Sequence, residues 1–170
     1  GGFATIAAGT PEAADAQFAE AITVAEARRA IPGLSIALGE RALIALGRGD
    51  VAAATRHVES GLAAVRDAGM DEFVASMTLH AAATRVALAN GSPSEARLAD
   101  ARVNSMRPIA TAAFPIPSLQ MRFATIRACI VLGEASAART LLLEVKDILR
   151  QCPALGVLVD EAAELDRAVE

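Results

Sequence analysis

The stretch Leu46-Gly47-Arg48-Gly49-Asp50-Val51-Ala52-Ala53-Ala54 decides how this chain is read. Gly49 suits a tight turn, Asp50 suits a helix N-cap, and the alanines that follow are the best helix formers. Gly49 and Ala54 form a G-x4-A pair. The pair returns as Gly91 and Ala96, and again, after an equal interval, as Gly133 and Ala138. A further copy, Gly9 and Ala14, precedes Gly49 at nearly the same interval. A period of 40 to 42 in an alanine- and leucine-rich chain is the mark of stacked helix pairs. The expected fold is all-α: a right-handed α-solenoid of antiparallel helix pairs, one domain over residues 1–170. Turns are expected at Gly49, Gly91 and Gly133. Ala54, Ala96 and Ala138, one turn into each second helix, are expected to lie buried where helices cross.

Outward from these turns, helical periodicity persists and strand-like alternation does not. The expected helices cover about 11–30, 34–48, 51–68, 71–89, 93–107, 118–132, 135–151 and 155–169, with a stub at 3–8. Thr10 and Pro11 open the first helix, and Pro32-Gly33 is expected to end it. Asp71 is expected to cap the fourth helix. Residues 108–117 form the longest irregular stretch.

Composition sets limits. The chain is 54 % hydrophobic but only 3 % aromatic, so its core must come from Leu, Ile, Val and Ala with five phenylalanines as large fillers. Net charge is −4 with the signs interspersed, and no basic run of the kind that grips nucleic acid occurs. Of sixteen basic residues only Lys146 is lysine; with so much alanine, this is the composition expected from a GC-rich bacterial genome. Cys129 and Cys152 have no metal-binding spacing and suit a reducing, cytoplasmic setting. No signal peptide or membrane span is legible. The chain begins and ends within helical pattern, as a piece of a longer protein would.

In the first copy, Ala14, Phe18 and Ala21 give A-x3-F-x2-A, which is similar to the second helix of tetratricopeptide repeats. Ala54, Val58 and Gly61, and Ala138, Leu142 and Val145, follow it. The third copy places Asp100 where Phe18 stands, and a rotated core seam is expected there. A closer resemblance lies in residues 132–142, Ile148-Leu149, and the stretch Cys152-Pro153-Ala154-Leu155-Gly156-Val157-Leu158-Val159-Asp160. These resemble the helical region just upstream of the DNA-binding domain in LuxR-type, MalT-like transcriptional regulators. The resemblance implies a sensing and assembly module that relays a signal to a helix-turn-helix outside this chain. The alternative is a stand-alone tetratricopeptide-like adaptor unrelated to transcription.

No catalytic, cofactor or metal site is expected. His57 and His80 lack convergent partners and suit solvent-facing or capped helix positions. Cys129 lies on an apolar stripe with Ile126 and Ile130 and suits a small buried hydrophobe. Arg85 and Arg127 are one repeat apart, on the first helices of successive pairs. They are either a ladder for an acidic ligand or a peptide carboxylate, or two solvated arginines. Thr78 and Gln120 share that spacing and are expected to add polar contacts on the same face. In the irregular stretch, Ile109, Phe114 and Ile116 either dock a neighbour or pack back on their own helices. Expected partners are a protein or a small effector, with no nucleic acid bound by this chain and no membrane. A homodimer is expected through the first helix, where Phe18 and Ile22 would lack part of their cover.

Overall fold

The computed structural model describes residues 9–170; the stub expected at 3–8 lies outside them. Eight α-helices account for most of the described chain: α1 Pro11–Arg28, α2 Ile31–Gly47, α3 Val51–Asp67, α4 Met77–Ala89, α5 Pro93–Ser105, α6 Pro115–Val131, α7 Ala135–Gln151 and α8 Val157–Val169. Short 3-10 turns at Val74–Ser76 and Arg107–Ile109 precede α4 and follow α5. No strand occurs among the described residues.

The repeated pair has one geometry throughout. Gly9, Gly49, Gly91 and Gly133 all have left-handed φ angles, between 68° and 76°. That backbone costs glycine nothing and a side chain something. The amide after each of the last three reaches back to close the preceding helix. Asp50 N–H donates to the Ala45 carbonyl at 2.9 Å, Ser92 to Ala87 at 3.1 Å, and Glu134 to Cys129 at 2.8 Å. The residue after the glycine then caps the next helix. Its carbonyl accepts from the alanine four positions on, as Asp50 does from Ala54 at 3.1 Å. Ala14, Ala54, Ala96 and Ala138 are all 0 % exposed. A larger side chain there would hold the crossing helices apart.

The other expectations divide. Pro32 stands at the start of α2, where its missing N–H is not needed, so Pro32-Gly33 opens a helix and does not end one. The terminator of α1 is Arg29, whose φ of 51° makes it the only non-glycine residue in the left-handed region among the described residues. For the same reason as α2, α6 begins at a proline, Pro115, three residues before Ser118. Asp71 does not cap a helix directly, because the 3-10 turn intervenes before Met77. Asp100 stays in the seam between Ala96 and Val103, both fully buried, so the seam has not rotated. It is made polar instead: Asp100 accepts from Thr125 Oγ1 at 2.6 Å and from Asn104 Nδ2 at 2.8 Å. Burial still pushes its carboxyl above the ordinary range. Ala21 is exposed, so the first copy departs from the tetratricopeptide pattern at that position.

Packing runs in two rows. The even-numbered helices touch one another in sequence, α2 to α4 to α6 to α8, and each odd-numbered helix packs beside its chain neighbours. The core is accordingly a series of local clusters. Ala14, Phe18 and Ala37 join α1 to α2; Ala42, Val58 and Val86 join α2, α3 and α4; Met77, Val103 and Met121 join α4, α5 and α6; Phe123, Leu142 and Leu165 join α6, α7 and α8. α4 and α6 are buried on most sides, as helices in the middle of an inner row must be. Phe18 is 6 % exposed, which removes it as an open surface for the expected homodimer. The row curls: a Cβ placed on Gly9, before α1, would lie 3.1 Å from Val157 Cγ1 at the start of α8.

The tightest point is Gly39 of α2 against α4. A Cβ there would come within 2.7 Å of the Leu79 backbone nitrogen, and backbone cannot turn aside. At Gly47, a Cβ would meet nothing within 4 Å. Gly39→Ala should therefore lower stability by about 2 kcal/mol despite alanine's better helix propensity. Gly47→Ala should raise it by up to about 1 kcal/mol. Urea unfolding of the two variants, read by circular dichroism, checks both signs.

Candidate functional site

The curled row lines an open-sided cavity of about 660 Å³. α2 contributes Glu40, Leu43 and Ile44; α4 contributes Arg85; α6 contributes Gln120, Phe123 and Arg127. Gly9, Glu12 and Arg48 on one side and Asp160, Glu161 and Glu164 on the other are also part of the wall. The volume suits a small molecule or a short peptide.

Arg85 and Arg127 both line this cavity, but the chain supplies its own acid. Glu161 of α8 lies 2.9 Å from Arg127 Nη2 and 3.8 Å from Arg85 Nη1. Neither guanidinium is freely solvated, since both side chains are at least two-thirds covered. Two cations thus share one carboxylate. Burial lowers the Arg85 pKa, Glu161 opposes that shift, and Arg127 reinforces it. The Nε of Arg127 is buried and has no hydrogen-bond partner among the described residues. An unmade bond to a buried charged donor is costly, which makes this nitrogen a marked feature of the wall.

Thr78 and Gln120 also come together, but they turn inward between helices and are buried. Thr78 Oγ1 donates to Gln120 Oε1 at 2.9 Å. Gln120 Nε2 in turn donates to both carboxylate oxygens of Glu40, each at 3.0 Å. Glu40 is 1 % exposed and has no cationic partner among the described residues. Burial pushes its pKa up from 4.5 to about 7, and the hydrogen bonds from Gln120 offset only part of that. Glu40 is not among the residues that the sequence singled out. A signal was present, because Glu40 lies one repeat before Ala82 and two before Ala124, both 0 % exposed. A carboxylate in the register of two core alanines is out of place.

The remaining residues fall elsewhere. His80 is buried, not solvent-facing, and donates Nε2–H to the Asp71 carbonyl at 2.8 Å. Burial holds its pKa, and that of the half-buried His57, below the ordinary histidine value. Cys129 is buried with Ile126, whereas Ile130 is exposed. Burial raises its thiol pKa, with Asp100 and Glu134 adding to the effect. No group of three His, Cys, Asp or Glu among the described residues is placed to hold a metal ion. No described helix is long and apolar enough to cross a membrane.

In the irregular stretch, Ile116 packs against the α6–α7–α8 core, while Ile109 and Phe114 remain 41 % and 45 % exposed. Phe114 and Ile116 border an apolar cleft of about 290 Å³ with Ile36 and Val74. Arg122 ties this segment down. Its Nη1 donates to the carbonyls of Ala110 and Ser118, both at 3.0 Å, and its Nε to Glu144 at 3.0 Å. Arg107 pairs with the same Glu144.

Comparison with known protein families, characterised proteins and solved structures finds no match for this chain.

Glu40 has a folded-state pKa above its unfolded value, so the folded protein binds the proton more tightly. The resulting stability is fully present below about pH 4.5 and is lost as pH rises to about 7. The span corresponds to about 3 kcal/mol. Glu40→Gln should remove that slope, seen as the difference between wild-type and variant unfolding free energies from pH 4.5 to 8. Arg122→Met should cost about 3 kcal/mol, since it leaves buried carbonyls and Glu144 without their donor. Hydrogen exchange should rise first at residues 110–114; unchanged protection there would show that Arg122 does not hold the segment.

Proposed function

We propose that this chain is a helical-repeat sensing module: a right-handed α-solenoid whose inner row of helices receives a ligand or peptide and passes its occupancy on through α8. The supporting observation is Glu161. It reaches from the last helix into the cavity and bridges arginines on α4 and α6. A ligand that competes for those arginines must change how α8 is held. α8 follows the Pro153-to-Gly156 connection, where Gly156 has a φ of 51° that favours glycine.

The resemblance of residues 130–170 to the region upstream of the DNA-binding domain in LuxR-type, MalT-like regulators supplies the biological reading. On that reading the module works in the cytoplasm and relays its signal to a helix-turn-helix beyond Glu170. Charge agrees with an indirect role: the chain carries net charge −4, and eight of its fifteen arginines are paired with its own acids.

The coding sequence downstream of Glu170 provides the direct test. A helix-turn-helix beginning within a few dozen residues is the expected result; a stop codon or an unrelated domain there would count against the regulator reading. The 170-residue chain itself should give no sequence-specific mobility shift with DNA at about 150 mM salt, where phosphate attraction is already screened.

A further inference from the structure

The cavity wall holds two unbalanced poles of opposite sign. One is Glu40, a buried carboxylate whose donor contact among the described residues is the neutral amide of Gln120. The other is the Arg85 and Arg127 pair, which shares a single carboxylate and leaves the buried Arg127 Nε without an acceptor. Burying a carboxylate without a counter-charge is unfavourable, and so is burying a charged donor without a partner. Both costs fall in one cavity. Between the poles lie the apolar side chains of Leu43, Ile44 and Phe123.

We infer that the cavity binds a short zwitterionic ligand, its ammonium at Glu40 and its carboxylate at Arg85 and Arg127. A cationic ligand alone would leave Arg127 Nε unanswered, and an anionic one would leave Glu40 uncompensated. Spacing sets the ligand's length. Gln120, which contacts Glu40, is seven residues before Arg127 on α6. Two helical turns separate them, about 10 Å along the axis. The ammonium and carboxylate of a single α-amino acid are too close together to span this, whereas a peptide of two or three residues with free ends has the reach. The apolar middle of the cavity suits a peptide with an aliphatic side chain.

Binding exchanges contacts that the chain makes with itself. The ammonium replaces the Gln120 amide as donor to Glu40, a charged donor for a neutral one, which strengthens the hydrogen bond. The carboxylate takes up Arg127 Nε and competes with Glu161 for the guanidinium groups. The inference rests on the cavity being the sensing face, and it names the chemistry that the cavity senses.

The test uses the tripeptide Ala-Leu-Ala in three forms: both ends free, N-acetylated, and C-amidated. Isothermal titration at pH 7 on the folded chain should show binding of the free-ended peptide, weakened at least tenfold by either cap. Glu40→Gln should abolish the preference for the free amine while keeping the preference for the free carboxylate. Arg127→Met should do the reverse. Circular dichroism establishes that each variant is folded before titration. Equal binding of all three forms, or sensitivity to the C-terminal cap alone, would overturn the zwitterion inference while leaving a ligand cavity in place. No binding of any form at millimolar concentration would overturn it outright, whatever the downstream coding sequence contains.

Discussion

The structure depends on a backbone constraint at each of the four repeat turns, Gly9, Gly49, Gly91 and Gly133: a left-handed glycine followed, five positions on, by a side chain no larger than a methyl group. The glycine sends the chain back antiparallel within a few positions. The alanine then lets the returning helix settle against its predecessor. Because this unit recurs with a nearly constant period, the same crossing is built again and again, and the even-numbered helices fall into a row. Gly39 applies the same logic between pairs. There α2 rides on the α4 backbone at Leu79, closer than any side chain permits. Close approach in this protein is a matter of missing atoms. That is why a chain so rich in alanine and so poor in aromatic residues still packs a succession of core clusters.

The row curls far enough to bring Gly9 against Val157, and the cavity is a consequence of that curvature. Residues from α2, α4, α6 and α8 face one another there although they are far apart in the chain. Low dielectric then makes each polar imbalance expensive. Gln120 is the pivot. Its carbonyl takes the Thr78 hydroxyl and its amide spans both oxygens of Glu40, so three helices are joined by one side chain. A wholly apolar inner row would be more stable, and the register of Ala82 and Ala124 shows what such a row would contain. The polar groups at this point are those that the proposed ligand would use.

The irregular stretch between α5 and α6 shows how a segment rich in apolar residues is restrained without being buried. Arg122 reaches back from α6 to the carbonyls of Ala110 and Ser118, and Ser118 Oγ donates to the Thr111 carbonyl at 2.9 Å. Backbone groups in a segment without regular structure find partners on the helix that follows it. Phe114 is left half-exposed as a result, beside an apolar cleft.

What could be read directly from the chain is local. Left-handed turns, buried alanines and the order of the helices are each settled by residues within a few positions of one another, where backbone strain and side-chain size act directly. Prolines were harder, because Pro32 and Pro115 open helices as readily as they end them, and the choice falls to the packing of the helix that follows. The equivalence of Arg85 and Arg127 was legible from the repeat, but not the identity of their acid: Glu161 stands on α8, far along the chain from both. The burial of Glu40 at the cavity wall belongs to the fold alone, since Gln120, which covers its carboxylate, is 80 residues away. Burial and charge balance are sums over everything nearby in space, and a carboxylate's environment is set by the curvature of the whole row, not by its neighbours in the chain.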